Sequence, residues 1–151
     1  MTGERDLRTL LHGMRPELNP GRYVFTAVPG GEVPTGVTPV VTVAEREGLT
    51  LVVPEGQAVA SGLEFHFVAG WITLRVHSAL DAVGLTAAVS LALTDAGISC
   101  NVVAGFHHDH LFVPHTRAAE AVQVLEALAA ESGQGPSPGS GRMRPDPGEG
   151  A

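Results

Sequence analysis

The residues best suited to chemistry lie between Ser78 and Thr86, ahead of an alanine- and leucine-rich segment. Gly84 stands where a helix is expected to begin, and a glycine there lets a ligand approach the unbonded N–H groups of the first turn. Those donors and the helix dipole favour an anion such as the carboxylate of an amino acid. Asp81 can take the ammonium group, and Asn101 can hydrogen-bond to either end. The alternative is that Asp81 or Ser78 only caps the helix and Gly84 only permits close packing.

A run of histidines and an aspartate, His107 to His110, suggests a second kind of chemistry. Metal ions need nitrogen and oxygen ligands that converge, and His77 or His115 can in principle join such a turn. No pair of ligands at helical spacing accompanies the run, however. Adjacent histidines in a turn more often face solvent or bond to the backbone, and Asp109 is expected to accept bonds from turn amides. We therefore predict no metal and no other cofactor.

Cys100 is the only cysteine, and a cysteine nucleophile needs a base within reach. Cys100 alternates in phase with Ile98 and Val102, the expected core side of its strand. His77, the nearest candidate base, alternates in phase with Arg75 on the opposite side. A buried, inert thiol is the better interpretation. Without a convincing catalytic set, we predict that the chain is not an enzyme.

Composition narrows the possible partners. The 151 residues carry a net charge of −7, with a pI near 5.4 and no basic stripe, which argues against nucleic acid. A lone cysteine fits a reducing compartment. The polar start, Met1 to Asp6, precedes no apolar leader, and no run of eighteen apolar residues exists. We expect a cytoplasmic protein with no membrane partner.

The first half predicts a short helix followed by three strands and a second short helix. Residues 6–14 place leucines and a methionine at helical spacing, and Pro16 and Pro20 are expected to end that helix and precede a strand at 23–28. Residues 40–44 and 49–53 predict a hairpin with Gly48 in a left-handed conformation, and 55–61 a short helix.

The second half predicts strand, helix, strand, strand, helix. The strand at 72–76 should turn Ile72, Leu74 and Val76 toward the core, leaving Trp71, Arg75 and His77 on a wetter face that serves self-association or contact between subdomains. The helices are expected at 82–96 and 117–131, and the last two strands at 98–104 and 111–113.

This order, β-α-β-β-α, is one strand short of a ferredoxin-like βαββαβ unit. The first half offers β-loop-β-β-α, a degenerate second copy by element order. Its strand at 23–28 is the obvious donor of the missing strand. We therefore predict an α+β fold with an N-terminal half at 1–68 and a C-terminal half at 69–131. The Gly- and Pro-rich segment 132–151 is predicted to be a disordered tail.

Three longer strings, Val76 to Val89, Gly97 to Gly105 and His108 to Pro114, resemble the small bacterial ACT-domain proteins of unassigned function. They also resemble the ACT repeats of aspartate kinases and CASTOR-type arginine sensors, although the loop before Asp81 is two residues longer than in most ACT domains. The resemblance implies two intertwined ACT subdomains that share strands and bind a regulatory small molecule, most often an amino acid, with homodimer formation possible. The implied ligand-binding set is His77, Ser78, Asp81, Val83, Gly84, Leu85, Thr86, Asn101 and Val102. The runner-up is a non-catalytic protein–protein interaction module with a vestigial pocket.

Overall fold

The chain forms one antiparallel sheet of six strands, accompanied by four helices, in a computed structural model that describes residues 6–76 and 81–133. Two predicted ligand residues, His77 and Ser78, lie outside the described part, as does the predicted tail from residue 134 onward. The elements, in chain order, are α1 (Leu7–Gly13), β1 (Arg15–Val28), β2 (Val41–Glu45), β3 (Gly48–Pro54), α2 (Glu55–Ala60), β4 (Val68–Arg75), α3 (Leu85–Asp95), β5 (Asn101–Ala104), β6 (Asp109–Pro114) and α4 (Ala118–Gly133), the last preceded by a 3-10 turn at His115–Arg117.

The strand order is β2-β3-β1-β4-β6-β5, and it contains two overlapping ferredoxin-like units. The first unit is β1, a loop, β2, β3, α2 and β4. The second is β4, α3, β5, β6 and α4, completed by β1 as its fourth strand. Both units therefore use β1 and β4, which confirms the predicted α+β fold with two intertwined, strand-sharing subdomains.

The donated strand is longer than the predicted segment 23–28. Arg15–Asn19, Tyr23 and Val24 pair with β4, while Tyr23–Val28 also pairs with β3. The predicted segment therefore belongs to the donated strand, but most of the pairing with β4 comes from the residues before it. Pro16 and Pro20 lie within the strand and do not end it. The pairing register with β4 shifts between Asn19 and Tyr23, and Gly21 in this segment has a φ of +103°.

One face of the sheet is covered by helices, as predicted. Along β4, alternate residues from Val68 to Leu74 point to this helix face. The larger core cluster joins α1, α3 and α4 to β4 and β6, and it includes Leu10, Met14, Ile72, Leu74, Leu93, Leu111 and Leu125. A second cluster lies under α2 and includes Val24, Leu51, Val53 and Ala58.

The opposite face carries a third cluster and no helix among the described residues. We call it the open face, and it is defined by Tyr23, Phe25, Val52, Trp71 and Phe112. The expectation that this side is the wetter one holds for Arg75, which is exposed. It fails for Thr73, which is buried, and for Trp71, which is half-buried among aromatic rings.

Candidate functional site

The loop predicted to bind a ligand ends at the start of α3, three residues later than expected. Gly84 occupies the N-cap position with a φ of +100° and provides no side-chain cap, so Asp81 is not the cap of this helix. The first helical hydrogen bond runs from Ala88 N to Gly84 O at 2.9 Å. The amides of Leu85 and Thr86 precede it and have no acceptor within the helix. The arrangement leaves backbone donors and the positive end of a three-turn helix at the loop.

Leu7 of α1 packs against this helix start. A Cβ placed on Gly84 would lie 3.1 Å from Leu7 Cδ2, tighter than an ordinary van der Waals contact. The positive φ at 84 favours glycine, and a Cβ there would also require the end of the Leu7 side chain to shift by a few tenths of an ångström. This supports the packing alternative at Gly84 and means that a ligand must approach from the side that Leu7 leaves open.

Of the other described loop residues that were predicted to bind a ligand, one is buried in the core and the rest are exposed. Leu85 is buried in the large core cluster and fixes the helix start. Asp81 and Thr86 are exposed, and Val83 keeps 84% of its surface accessible. Exposed polar side chains at a helix start can meet a solute, and an exposed valine adds an apolar contact.

Asn101 and Val102, the two predicted ligand residues outside the loop, lie at the start of β5. Asn101 pairs with Phe112 and Val102 with Leu111, so their side chains point to opposite faces of the sheet. α3 ends at Asp95 and β5 begins at Asn101, so a connection of five residues separates the helix from these two positions.

The histidine run lies at the hairpin between β5 and β6. Gly105 N donates to His108 O at 2.9 Å and closes the turn. Among residues 6–76 and 81–133, no group of three or more His, Cys, Asp or Glu side chains is arranged to hold a metal ion. Burial raises the pKa of Asp109, with His110 and His108 opposing that rise. The metal alternative gains no support within this part of the chain.

Cys100 is half-buried beside the large core cluster. Burial raises the pKa of its thiol to about 11, so the reactive thiolate is scarce at neutral pH. This environment is the one that the sequence predicted for it.

A polar network on the open face was not predicted. Asn19 Nδ2 donates to Thr73 Oγ1 at 2.9 Å, Trp71 Nε1 donates to His110 Nδ1 at 3.0 Å, and Thr73 Oγ1 lies 3.2 Å from the same nitrogen. The alternation of residues along β4 shows from the sequence that Trp71 and Thr73 share a face of the strand. The pairing register that brings Asn19 and His110 next to them cannot be predicted from the sequence pattern.

Two open surface cavities lie elsewhere. One, of about 340 Å³, lies between α1, the start of β1 and α4, beside His12 and Glu126. The other, of about 350 Å³, lies between Pro29–Gly31 and the β2–β3 hairpin tip. Neither includes a residue of the Asp81–Thr86 loop, so that loop offers a surface site with exposed donors rather than one of these cavities.

Family comparisons match the two units in tandem. Descriptions of the ACT domain match residues 2–70 and residues 67–127, and the two matches overlap at the start of β4. No curated protein sequence matches the chain. Within the described residues, every helix is too short or too polar to cross a bilayer.

Several solved structures are similar to this chain in fold. A protein of unknown function from Vibrio cholerae, described as a possible transport protein, is 44% identical, has a TM-score of 0.74 and covers 83% of this chain and 97% of its own. The regulatory subunit of aspartate kinase from Thermus thermophilus, in a ligand-free form, has a TM-score of 0.56 at 9% identity, covering 75% and 95% of the two chains. Aspartate kinase from Clostridium acetobutylicum has a TM-score of 0.59 at 11% identity, with 34% of that chain covered. The last two likenesses concern the fold alone.

Proposed function

The chain belongs to the ACT-domain family, and from this premise we propose that it is a regulatory protein that binds an amino acid or a similar small molecule at the Asp81–Thr86 loop. The observation that supports this most directly is the start of α3. There Gly84 stands at the N-cap without a side chain to cap the helix, and the amides of the first turn have no acceptor within the helix itself.

Each described residue of the loop has a proposed part. The amides of Leu85 and Thr86 hold the ligand's carboxylate, and the helix dipole favours its charge. The exposed carboxylate of Asp81 balances an ammonium group, and Val83 contacts the ligand's side chain. Asn101 and Val102 remain proposed contacts that substitution must test, because they lie on β5 and not on the loop.

The mode of action that we propose is regulatory rather than catalytic. Binding acts by changing how the chain associates with itself or with a partner protein, in the cytoplasm. The open face is the surface proposed for a homodimer, because Trp71, Phe112 and Phe25 form an apolar cluster there that no helix of the described residues covers. Sedimentation of the protein with and without ligand tests this mode, and Val43→Glu on the exposed edge of that face should weaken a dimer. A monomer at all concentrations, with or without ligand, contradicts it.

A second candidate is supported by the contact between Leu7 and Gly84. If packing alone explains the glycine, the loop is a vestige and the chain is a protein–protein interaction module. Both candidates use the same fold, and only ligand binding separates them.

A thermal-shift screen of the standard amino acids tests the proposal. A ligand present at 100 times its Kd should add about 2.7 kcal/mol of stability. Asp81→Asn removes the counter-charge for an ammonium group and should abolish most of that gain. Glu131→Gln removes an equal charge at the far end of α4 and is the matched control. An absence of stabilisation by every standard amino acid favours the interaction module.

A further inference from the structure

Trp71 and His110 are joined across neighbouring strands on the open face. Trp71 Nε1 donates to His110 Nδ1 at 3.0 Å, and the two rings lie 5.7 Å apart. The indole also packs edge-to-face on Tyr23, with ring centroids 5.3 Å apart, and stacks on Phe112 at 6.4 Å. The imidazole thus holds the polar end of a side chain whose rings form the centre of the open face.

The hydrogen bond requires neutral His110. An indole N–H can only donate, so His110 Nδ1 must accept and the ring proton must be on Nε2. Thr73 supports the same assignment, since its hydroxyl accepts from Asn19 Nδ2 and can donate its own proton to Nδ1. Two donors, Trp71 Nε1 and the hydroxyl of Thr73, therefore converge on this one nitrogen.

Protonation of Nδ1 affects the two neighbours differently. The hydroxyl of Thr73 can turn and accept from the new N–H. The indole of Trp71 has no lone pair to offer, so its N–H loses its acceptor and faces another donor. We propose that His110 is a pH-sensitive latch, and that protonation of its imidazole releases the Trp71 indole from the open face of the sheet.

The groups on the hairpin and on β6 determine where the latch titrates. Burial lowers the pKa of His110 from its ordinary value of 6.5; His108 lowers it further, and Asp109 acts in the opposite direction. A histidine whose folded-state pKa is depressed stabilises the fold above the unfolded pKa. That stability is lost as the pH falls through the folded pKa, so the latch should open in mildly acidic solution.

The neighbouring strands add charges that largely offset each other. Glu17 on β1 lies opposite Thr73 in the same cross-strand row, and it is ion-paired with Arg75 of β4. On the other side, the partner of His110 on β5 is Val103, which has no charge. Among the described residues, the charged or ionisable neighbours that change the pKa of His110 are His108 and Asp109.

Trp71 is the only tryptophan, so its emission and its single indole N–H resonance report on the latch alone. We expect both signals of the folded protein to titrate together between neutral pH and mild acid, with far-UV circular dichroism unchanged. His110→Gln keeps an acceptor that does not titrate and should remove the transition. His108→Gln, the matched control, should keep the transition with its midpoint moved upward, because the electrostatic effect of His108 that lowers the pKa of His110 is gone. A transition that persists in the His110→Gln variant, or an indole resonance that does not titrate in the unaltered protein, overturns the proposal.

Discussion

Leu7 and Gly84 meet across the junction of α1 and α3, seventy-seven positions apart in the chain, with Leu7 Cδ2 3.1 Å from the point where a Cβ on Gly84 would stand. The contact places the first helix of the chain against the start of the helix that supports the candidate site. It also makes the geometry of that site depend on the N-terminal segment.

Gly84→Ala should therefore destabilise the fold for two separate reasons. A side chain at a φ of +100° costs about 1–2 kcal/mol, and the contact with Leu7 adds to it. Chemical denaturation measures the loss. In the double variant Leu7→Ala/Gly84→Ala, the loss of unfolding free energy that comes from the contact should disappear, while the loss from the positive φ remains. If the losses of the two single variants simply add, Leu7 and Gly84 do not interact.

Gly70 is required by close packing of α4 on the shared strand β4. A Cβ on Gly70 would lie 2.6 Å from Ala118 Cβ, and both residues are buried. Gly70→Ala should cost about 1–3 kcal/mol through overpacking. Gly56→Ala in α2 is the control, because nothing lies within 4 Å of its Cβ position, and it should be neutral or slightly stabilising. Equal stability of the two variants would contradict the proposed packing.

The sequence predicted most elements because their patterns are local. Apolar spacing is enough to locate α1 and α4, and the charged segment between two β-rich runs locates the β2–β3 hairpin. Gly48 has the positive φ that was expected, +153°, which residues with a side chain rarely adopt. The sequence did not show the second reason for a glycine: a Cβ there would lie 2.6 Å from Val28 O of β1.

The errors come from contacts between distant segments. Pro16 and Pro20 suggested a break, but pairing of β1 with β4 and a local register shift keep the chain extended. Asp81 was a reasonable cap by residue type, yet the helix starts at Leu85, where Leu7 packs on Gly84. The bond between Trp71 and His110 depends on a cross-strand register that no local pattern contains.

Arg117 should stabilise the C-terminal end of α3. Its guanidinium donates to Gly97 O and to Ala96 O, each at 2.9 Å, which satisfies carbonyls that the helix leaves unbonded. Arg117→Ala should lower the free energy of unfolding by about 1 kcal/mol, as measured by thermal or chemical denaturation. Arg117→Lys should restore only part of that loss, because an ammonium group cannot donate to both carbonyls with the planar geometry of a guanidinium. Glu120→Gln removes only the surface partner of Arg117 and should change stability by less than about 0.5 kcal/mol. A loss in Glu120→Gln as large as that in Arg117→Ala would contradict the capping role.

Cys100 should react slowly with alkylating reagents while the protein is folded. With its pKa raised to about 11, only about one thiol in a thousand is ionised at pH 8. Denaturant should accelerate alkylation by at least about an order of magnitude. Because the folded pKa exceeds the unfolded value, this residue stabilises the fold below pH 9, and the contribution is lost as the pH rises toward 11. Equal alkylation rates in the folded and unfolded states would contradict the burial of the thiol.

The most direct test of the proposed ligand site removes one backbone N–H donor at the start of α3 while leaving the core unchanged. Thr86 is exposed at the second position of α3; proline there deletes its N–H in a turn that tolerates proline, and Thr86→Ala keeps the N–H and serves as the control. Calorimetry with whichever standard amino acid raises the melting temperature should show binding to Thr86→Ala close to that of the unaltered protein. Thr86→Pro should bind at least about tenfold more weakly, since an unreplaced hydrogen bond to a charged group is worth about 1.5–3 kcal/mol. Equal affinity in two variants that remain folded would contradict amino-acid binding at this helix start.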